Sequence, residues 1–288
     1  MEIIIDKGSG FCFGVRRAIS MAEKEASRTG ELFCLGDIVH NTEEVKRLSK
    51  RGIEFITRDK YFTLSDCKVL IRAHGEPPET YEYAQNNNIQ LIDATCPVVL
   101  KLQEKVKNAQ QINPQAQIVI FGRKKHPEII GLYGQVKDAV IIESVDDISK
   151  VNYSKPIFLF AQTTKDTVQY AEIQNEMLEQ VLKAGGDIND FIVYDSICVQ
   201  VANRVPHLAK FSQTVDTLLF VGGKSSSNSK MLFDVCKDYN QKSFFITSIN
   251  DLDKLDLSKA KKIGICGATS TPSWLIGEIG NHLKATFS

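Results

Sequence analysis

Residues 2–15, EIIIDKGSGFCFGV, place a short apolar run, an aspartate and a glycine-rich turn directly ahead of Cys12. The same order returns at residues 89–99, IQLIDATCPVV, around Cys96, and at residues 191–201, FIVYDSICVQV, around Cys198. In each copy a valine follows the cysteine by three residues, and a helix-like stretch comes next: RRAISMAEKEA, LKLQEKVKNAQQ and ANRVPHLAKFSQ. A further apolar run then ends in glycine, at Gly36, Gly122 and Gly222, and four residues past each glycine stands His40, His126 or Ser226. A third run leads to His74 in VLIRAH, Thr163 in IFLFAQT and Ser270 in KIGICGATS.

Short β-branched runs alternating with helical stretches predict parallel β-α-β units. An internal repeat of this kind is the strongest organising signal a chain can carry. The fold expectation is therefore α/β: three similar small parallel-sheet modules, residues 1–96, 97–195 and 196–288, arranged with pseudo-threefold symmetry around a centre. In open parallel sheets ligands bind at the carboxyl ends of the strands, and the repeated Cys, His, Thr and Ser all fall there. Strand spacing alone follows from β-α-β geometry; three cysteines at one equivalent position do not.

Composition narrows the function classes. The 288 residues are 43% apolar and 24% charged, as expected of an ordinary globular protein, with balanced charge. A net charge of zero offers no general field for nucleic acid or an anionic membrane, so neither partner is expected. The first residues contain only a three-residue apolar run before Asp6, neither a signal peptide nor a membrane span, and a cytoplasmic location is expected. Seven cysteines in a reducing compartment read as metal ligands and buried small hydrophobes rather than disulfides.

Cys12, Cys96 and Cys198 offer three thiolates, which suit zinc, copper(I) or an iron–sulfur cluster. A strand-to-helix turn favours such an anion. Three ligands would leave one metal position open to substrate. Cys34, Cys67, Cys236 and Cys266 lie in or beside apolar runs and are expected to pack. GSGFCFG also suggests a dinucleotide turn, but its third glycine comes one residue late and a cysteine sits inside it; the glycines are expected to admit close approach to a metal. His40, His74 and His126 make an anion- or metal-binding set, whereas His207 and His282 read as structural. GGKSSSNS, residues 222–229, brings hydroxyls and backbone N–H groups to a helix start, a nest for an anion. Glu128 lies two residues beyond His126 across Pro127. In an extended segment the pair would point the same way and the carboxyl could donate a proton; the alternative is a surface glutamate opening the next helix.

GFCFGV, VHN, AHG, DATCP, HPE, QTT, SIC followed by NR, SSNS and GATSTP occur here in the order found in the LytB-type 4-hydroxy-3-methylbut-2-enyl diphosphate reductases, which this chain resembles from residue 3 to about 276. The resemblance implies a three-module fold around a [4Fe-4S] cluster held by Cys12, Cys96 and Cys198. It implies that His40, His74, His126, Ser226, Ser227, Asn228 and Ser270 bind the diphosphate of an allylic substrate. Glu128 would relay protons, and Thr163 would help place the substrate hydroxyl. It also implies reduction to isopentenyl and dimethylallyl diphosphate in the non-mevalonate pathway, with ferredoxin or flavodoxin as donor. VQVANR departs from the Ala-Thr-Gln type of run common after the third cysteine, and GATSTP carries an extra Thr269 where some relatives have GAS; counting back from Pro272 aligns Ser270. The rival readings are a zinc-dependent hydrolase of a small diphosphate, with Glu128 as base, and a non-catalytic binder of phosphorylated metabolites.

Overall fold

In the computed structural model, residues 1–287 are described, and they divide into two compact units: residues 1–56 with 199–287, and residues 57–198. Twelve strands of the described residues form three parallel sets of four. They are β1 (Glu2–Ile5), β2 (Leu32–Leu35), β3 (Ile53–Ile56), β4 (Lys68–Ile71), β5 (Gln90–Asp93), β6 (Gln117–Phe121), β7 (Ala139–Ile142), β8 (Ile157–Ala161), β9 (Phe191–Val193), β10 (Thr217–Val221), β11 (Ser243–Ile246) and β12 (Lys262–Gly267).

The first unit holds a complete sheet in the order β1-β12-β10-β11, together with the pair β2–β3. The second holds β7-β6-β8-β9 and the pair β4–β5. The strand ahead of each cysteine lies at a sheet edge beside the strand that carries a polar tip: β1 beside β12, β5 beside β4, β9 beside β8. The last two neighbours are close in sequence. The first strand, by contrast, pairs with β12, at the other end of the chain, with Ile3 opposite Ile263 and Ile5 opposite Ile265.

Sequence periodicity located three strands per repeat; the structure has four. The additional ones are β3 (IEFI), β7 (AVII) and β11 (SFFI), four-residue runs at sheet edges with only one or two buried residues each. The central strands are legible because they are covered on both faces. In β10 every residue of TLLFV is buried. Leu219 and Val221 pack toward the helix Ser273–Thr286 through Leu275, Ile276, Ile279 and Leu283. Leu218 and Phe220 pack on the other face with Leu208, Leu232 and Cys236. Alternation along one strand thus feeds two cores and removes the polar-out positions that a one-sided sheet would show.

Helices follow the first two cysteines without interruption, Phe13–Thr29 and Pro97–Ile112. The third is split into Val199–Ala202 and Arg204–Ser212. Pro206 accounts for the break: it has no N–H to donate, and its ring would meet the carbonyl of Ala202 in a continuous helix. Among the described residues no helix is long and apolar enough to cross a membrane.

Candidate active site

The three repeated turns share a local construction. Cys12 N–H donates to the Thr269 carbonyl at 3.1 Å, Cys96 N–H to the Ala73 carbonyl at 3.0 Å, and Cys198 N–H to the Thr163 carbonyl at 2.9 Å. Each cysteine is therefore pinned to the loop leaving the neighbouring strand, next to Ser270, next to His74, and at Thr163 itself. The aspartate of the repeat shapes the turn in between. Asp6 Oδ1 accepts from Gly8 N at 3.2 Å and Asp93 Oδ1 from Thr95 N at 2.8 Å, the side-chain turn that aspartate forms two residues on.

Cys12 and Cys96 are the N-cap residues of their helices, and neither side chain makes a capping hydrogen bond. Cys12, Cys96 and Cys198 are partly exposed, whereas Cys34, Cys236 and Cys266 are fully buried in apolar packing, as expected of them. Cys67 is only half-buried. Cys12 in the first unit, and Cys96 and Cys198 in the second, thus each stand accessible at the start of a helix. Gly10 has φ +121, and a side chain there would also strike Ser273 Oγ, so only glycine fits. At Gly8 a side chain would press on Arg204 and His207.

Those two residues belong to a network that sequence patterns did not expose. Arg204 Nη2 donates to Asp6 Oδ2 at 2.6 Å, to Ser9 Oγ at 2.6 Å and to the Gly267 carbonyl at 2.9 Å. His207 Nε2 meets Asp6 Oδ1 at 2.6 Å, and Ser9 Oγ accepts from Gly267 N at 2.8 Å. Arg204 of the NR pair, with His207, thus stabilises the loop that carries the first cysteine. Burial would raise the Asp6 carboxyl, but His207, Arg204 and Ser9 together hold it below the usual carboxylate range.

Also in the first unit, the anion-binding candidates converge. Ser226 is the N-cap of the helix Ser227–Tyr239 and accepts from Ser229 N at 3.2 Å. Its hydroxyl lies 3.2 Å from that of Ser270, and Ser229 Oγ is 3.4 Å from the same atom. Asn228 Nδ2 donates to Thr269 Oγ1 at 3.0 Å and Thr271 Oγ1 donates to the Val221 carbonyl at 2.7 Å, so all three hydroxyls of the GATSTP turn are engaged. The other amide atom of Asn228 is buried without a hydrogen-bond partner. Amide rotation can exchange the two atoms and present an N–H there. Ser227 opens the helix. The His40 carbonyl lies against Gly223, where a side chain would collide with it.

The second unit assembles the acid–base candidates. His126 is the N-cap of the helix Pro127–Tyr133, and its Nδ1 accepts from Glu128 N at 3.2 Å. Glu128 therefore opens a helix rather than continuing an extended segment; yet it is 1% exposed, not on the surface. Its Oε1 accepts from Thr163 N at 2.7 Å and its Oε2 from Thr163 Oγ1 at 2.8 Å. Burial pushes the carboxyl up to about 7, partly offset by those two bonds. The His74 and His126 rings meet edge to face at 5.2 Å between centroids.

The family model described as LytB protein matches residues 3–284. A 4-hydroxy-3-methylbut-2-enyl diphosphate reductase of Bacteroides fragilis is 48% identical over 99% of this chain and 98% of its own length. One of Chloroherpeton thalassium is 43% identical over all of this chain and 98% of its own. Among solved structures, the E-1-hydroxy-2-methyl-but-2-enyl-4-diphosphate reductase of Plasmodium falciparum superposes with a TM-score of 0.85 at 30% identity, covering 98% of this chain and 88% of that one.

Proposed function

Because the chain belongs to the LytB family, we propose that it is a reductase that converts 4-hydroxy-3-methylbut-2-enyl diphosphate to isopentenyl and dimethylallyl diphosphate, the closing step of the non-mevalonate pathway. The observation that carries the reading is Glu128: a buried carboxyl whose pKa lies near 7, bonded on both oxygens to Thr163.

The reaction breaks one C–O bond, forms one C–H bond, takes up two electrons and two protons, and releases water. A [4Fe-4S] cluster held by Cys12, Cys96 and Cys198 would supply the electrons and a Lewis-acidic iron. The chain's own residues do the rest. His40, His74, His126, Ser226, Ser227, Asn228 and Ser270 bind the diphosphate with neutral or cationic donors, as an anion of that charge density requires. Glu128 retains its proton to neutral pH and donates it as the hydroxyl leaves; a group poised near the working pH is an efficient proton donor. Thr163 fixes the orientation of that carboxyl and of the substrate hydroxyl beside it. Ferredoxin or flavodoxin supplies single electrons, and the enzyme works in the cytoplasm.

Anaerobic purification followed by iron, sulfide and turnover measurements tests this. Iron and sulfide should be present, and reduced donor should drive water loss from the diphosphate. Zinc without iron or sulfide, with phosphate release in the absence of a reductant, would refute the reductase. Cys96→Ser should lose most of its iron; a full complement would contradict that ligand assignment.

A further inference from the structure

Glu44 is a fully buried glutamate that the proposed chemistry does not use. It is the third residue of the helix Thr42–Ser49, whose N-cap Asn41 accepts from Glu44 N at 3.1 Å. A glutamate at this position ordinarily turns back to accept the N-cap N–H. Here the Asn41 N–H donates instead to the Val39 carbonyl at 2.8 Å. The released carboxylate reaches away from its own helix: Oε2 accepts from the indole Nε1 of Trp274 at 2.6 Å and from Arg47 Nε at 2.9 Å, and Oε1 from Arg47 Nη2 at 2.6 Å.

Trp274 is 230 residues away in the chain, in the first turn of the helix Ser273–Thr286 and four residues past Ser270. Asn41, the other end of the bridge, directly follows His40. One carboxylate therefore joins the turn of His40 to the turn of Ser270. Gly223, packed on the His40 carbonyl, and the contact between Ser226 and Ser270 complete an interlocked set of three turns within the first unit. Charge-assisted bonds to a planar guanidinium and an indole hold this spacing more firmly than the adjoining serine hydroxyls alone.

We propose that Glu44 is a positioning residue for diphosphate binding, acting through Trp274 and Arg47 to keep the His40 and Ser270 turns at the separation a diphosphate spans. This rests on the diphosphate reading of those turns. Trp274 is the chain's single tryptophan, so its emission reports on one end of the bridge without interference.

The experiment uses the full-length protein, with inorganic diphosphate as probe in calorimetry. Glu44→Gln sets an amide N–H₂ against a donor, and its Kd for inorganic diphosphate should rise about tenfold, as expected when a buried donor loses its acceptor. KM should rise by the same factor while kcat stays within about twofold, the pattern of lost uniform binding. The Trp274 emission should move in this variant. Should Glu44→Gln not fold, Trp274→Phe keeps the pair with Arg47 and should weaken diphosphate binding in the same direction. Unchanged Kd in folded variants, or an unmoved emission in Glu44→Gln, overturns the proposal. A wild-type protein that binds no diphosphate at all would instead remove the reading of the turns on which it rests.

Discussion

Asp6 in the first unit and Glu128 in the second are both buried carboxyl groups at the ends of structural elements, 5% and 1% exposed. Their acidities nevertheless move in opposite directions. Asp6 faces the Arg204 guanidinium and His207 and is held below the usual range; Glu128 faces Thr163 and is pushed up to about 7. Desolvation is the largest influence on each, so burial by itself does not set the outcome. A cation within hydrogen-bond distance does. The lowered group is fitted to hold a loop in place, and the raised one to move a proton.

Replacing Asp6 should break the comparison most sharply. Asp6→Asn leaves Arg204 buried without its carboxylate and should lower stability by about 4 kcal/mol, measured by urea denaturation at pH 7. A loss below about 1 kcal/mol would mean that the guanidinium finds water instead.

The two groups should also give the stability curve opposite slopes. Glu128 binds its proton more tightly folded than unfolded. Its contribution is complete below about 4.5 and falls by about 3 kcal/mol as pH rises toward 7. Asp6 behaves in the reverse sense: its contribution is present above 3.8 and is lost as pH falls through its lowered folded value. Urea midpoints followed between pH 3 and pH 8 resolve both limbs. Glu128→Gln should flatten the upper limb only, and a flattening of the lower one would contradict the assignment.

On turnover, Glu128→Gln should cost about a hundredfold while leaving diphosphate binding intact. Undiminished rates would show that the proton comes from elsewhere. The smallest effect is expected for Thr163→Val. Removing the hydroxyl bond that lowers the Glu128 pKa should move the alkaline limb of the activity profile upward, by less than about one pH unit. A downward movement would mean that the hydroxyl stabilises the protonated form.

Much of the site's framework was legible because it is local. An apolar run, an aspartate and a cysteine recur three times, and in the structure every one of those cysteines follows a strand and precedes a helix. Glu128 was marked by its distance from His126, although a helix cap, not an extended segment, joins the two. What escaped detection depends on partners far along the chain. Edge strands β3, β7 and β11 are only four residues long and stand outside the cysteine- and glycine-marked pattern that located the other nine. His207 was read as structural for want of any local feature, and its partner Asp6 stands 201 residues earlier. Glu44 stands in the polar stretch TEEVKR with no local feature to mark it, and its partner Trp274 lies 230 residues later.

The amino-acid order alone settled the parallel α/β class and the placing of cysteine, histidine and serine at strand ends, because side-chain periodicity and turn chemistry act over a few residues. Only the tertiary structure decided which carboxyl is charged and which keeps its proton. That outcome depends on whether a guanidinium or a threonine arrives from a distant part of the chain, and electrostatic energy in a buried site is fixed by distance in space, not along the sequence.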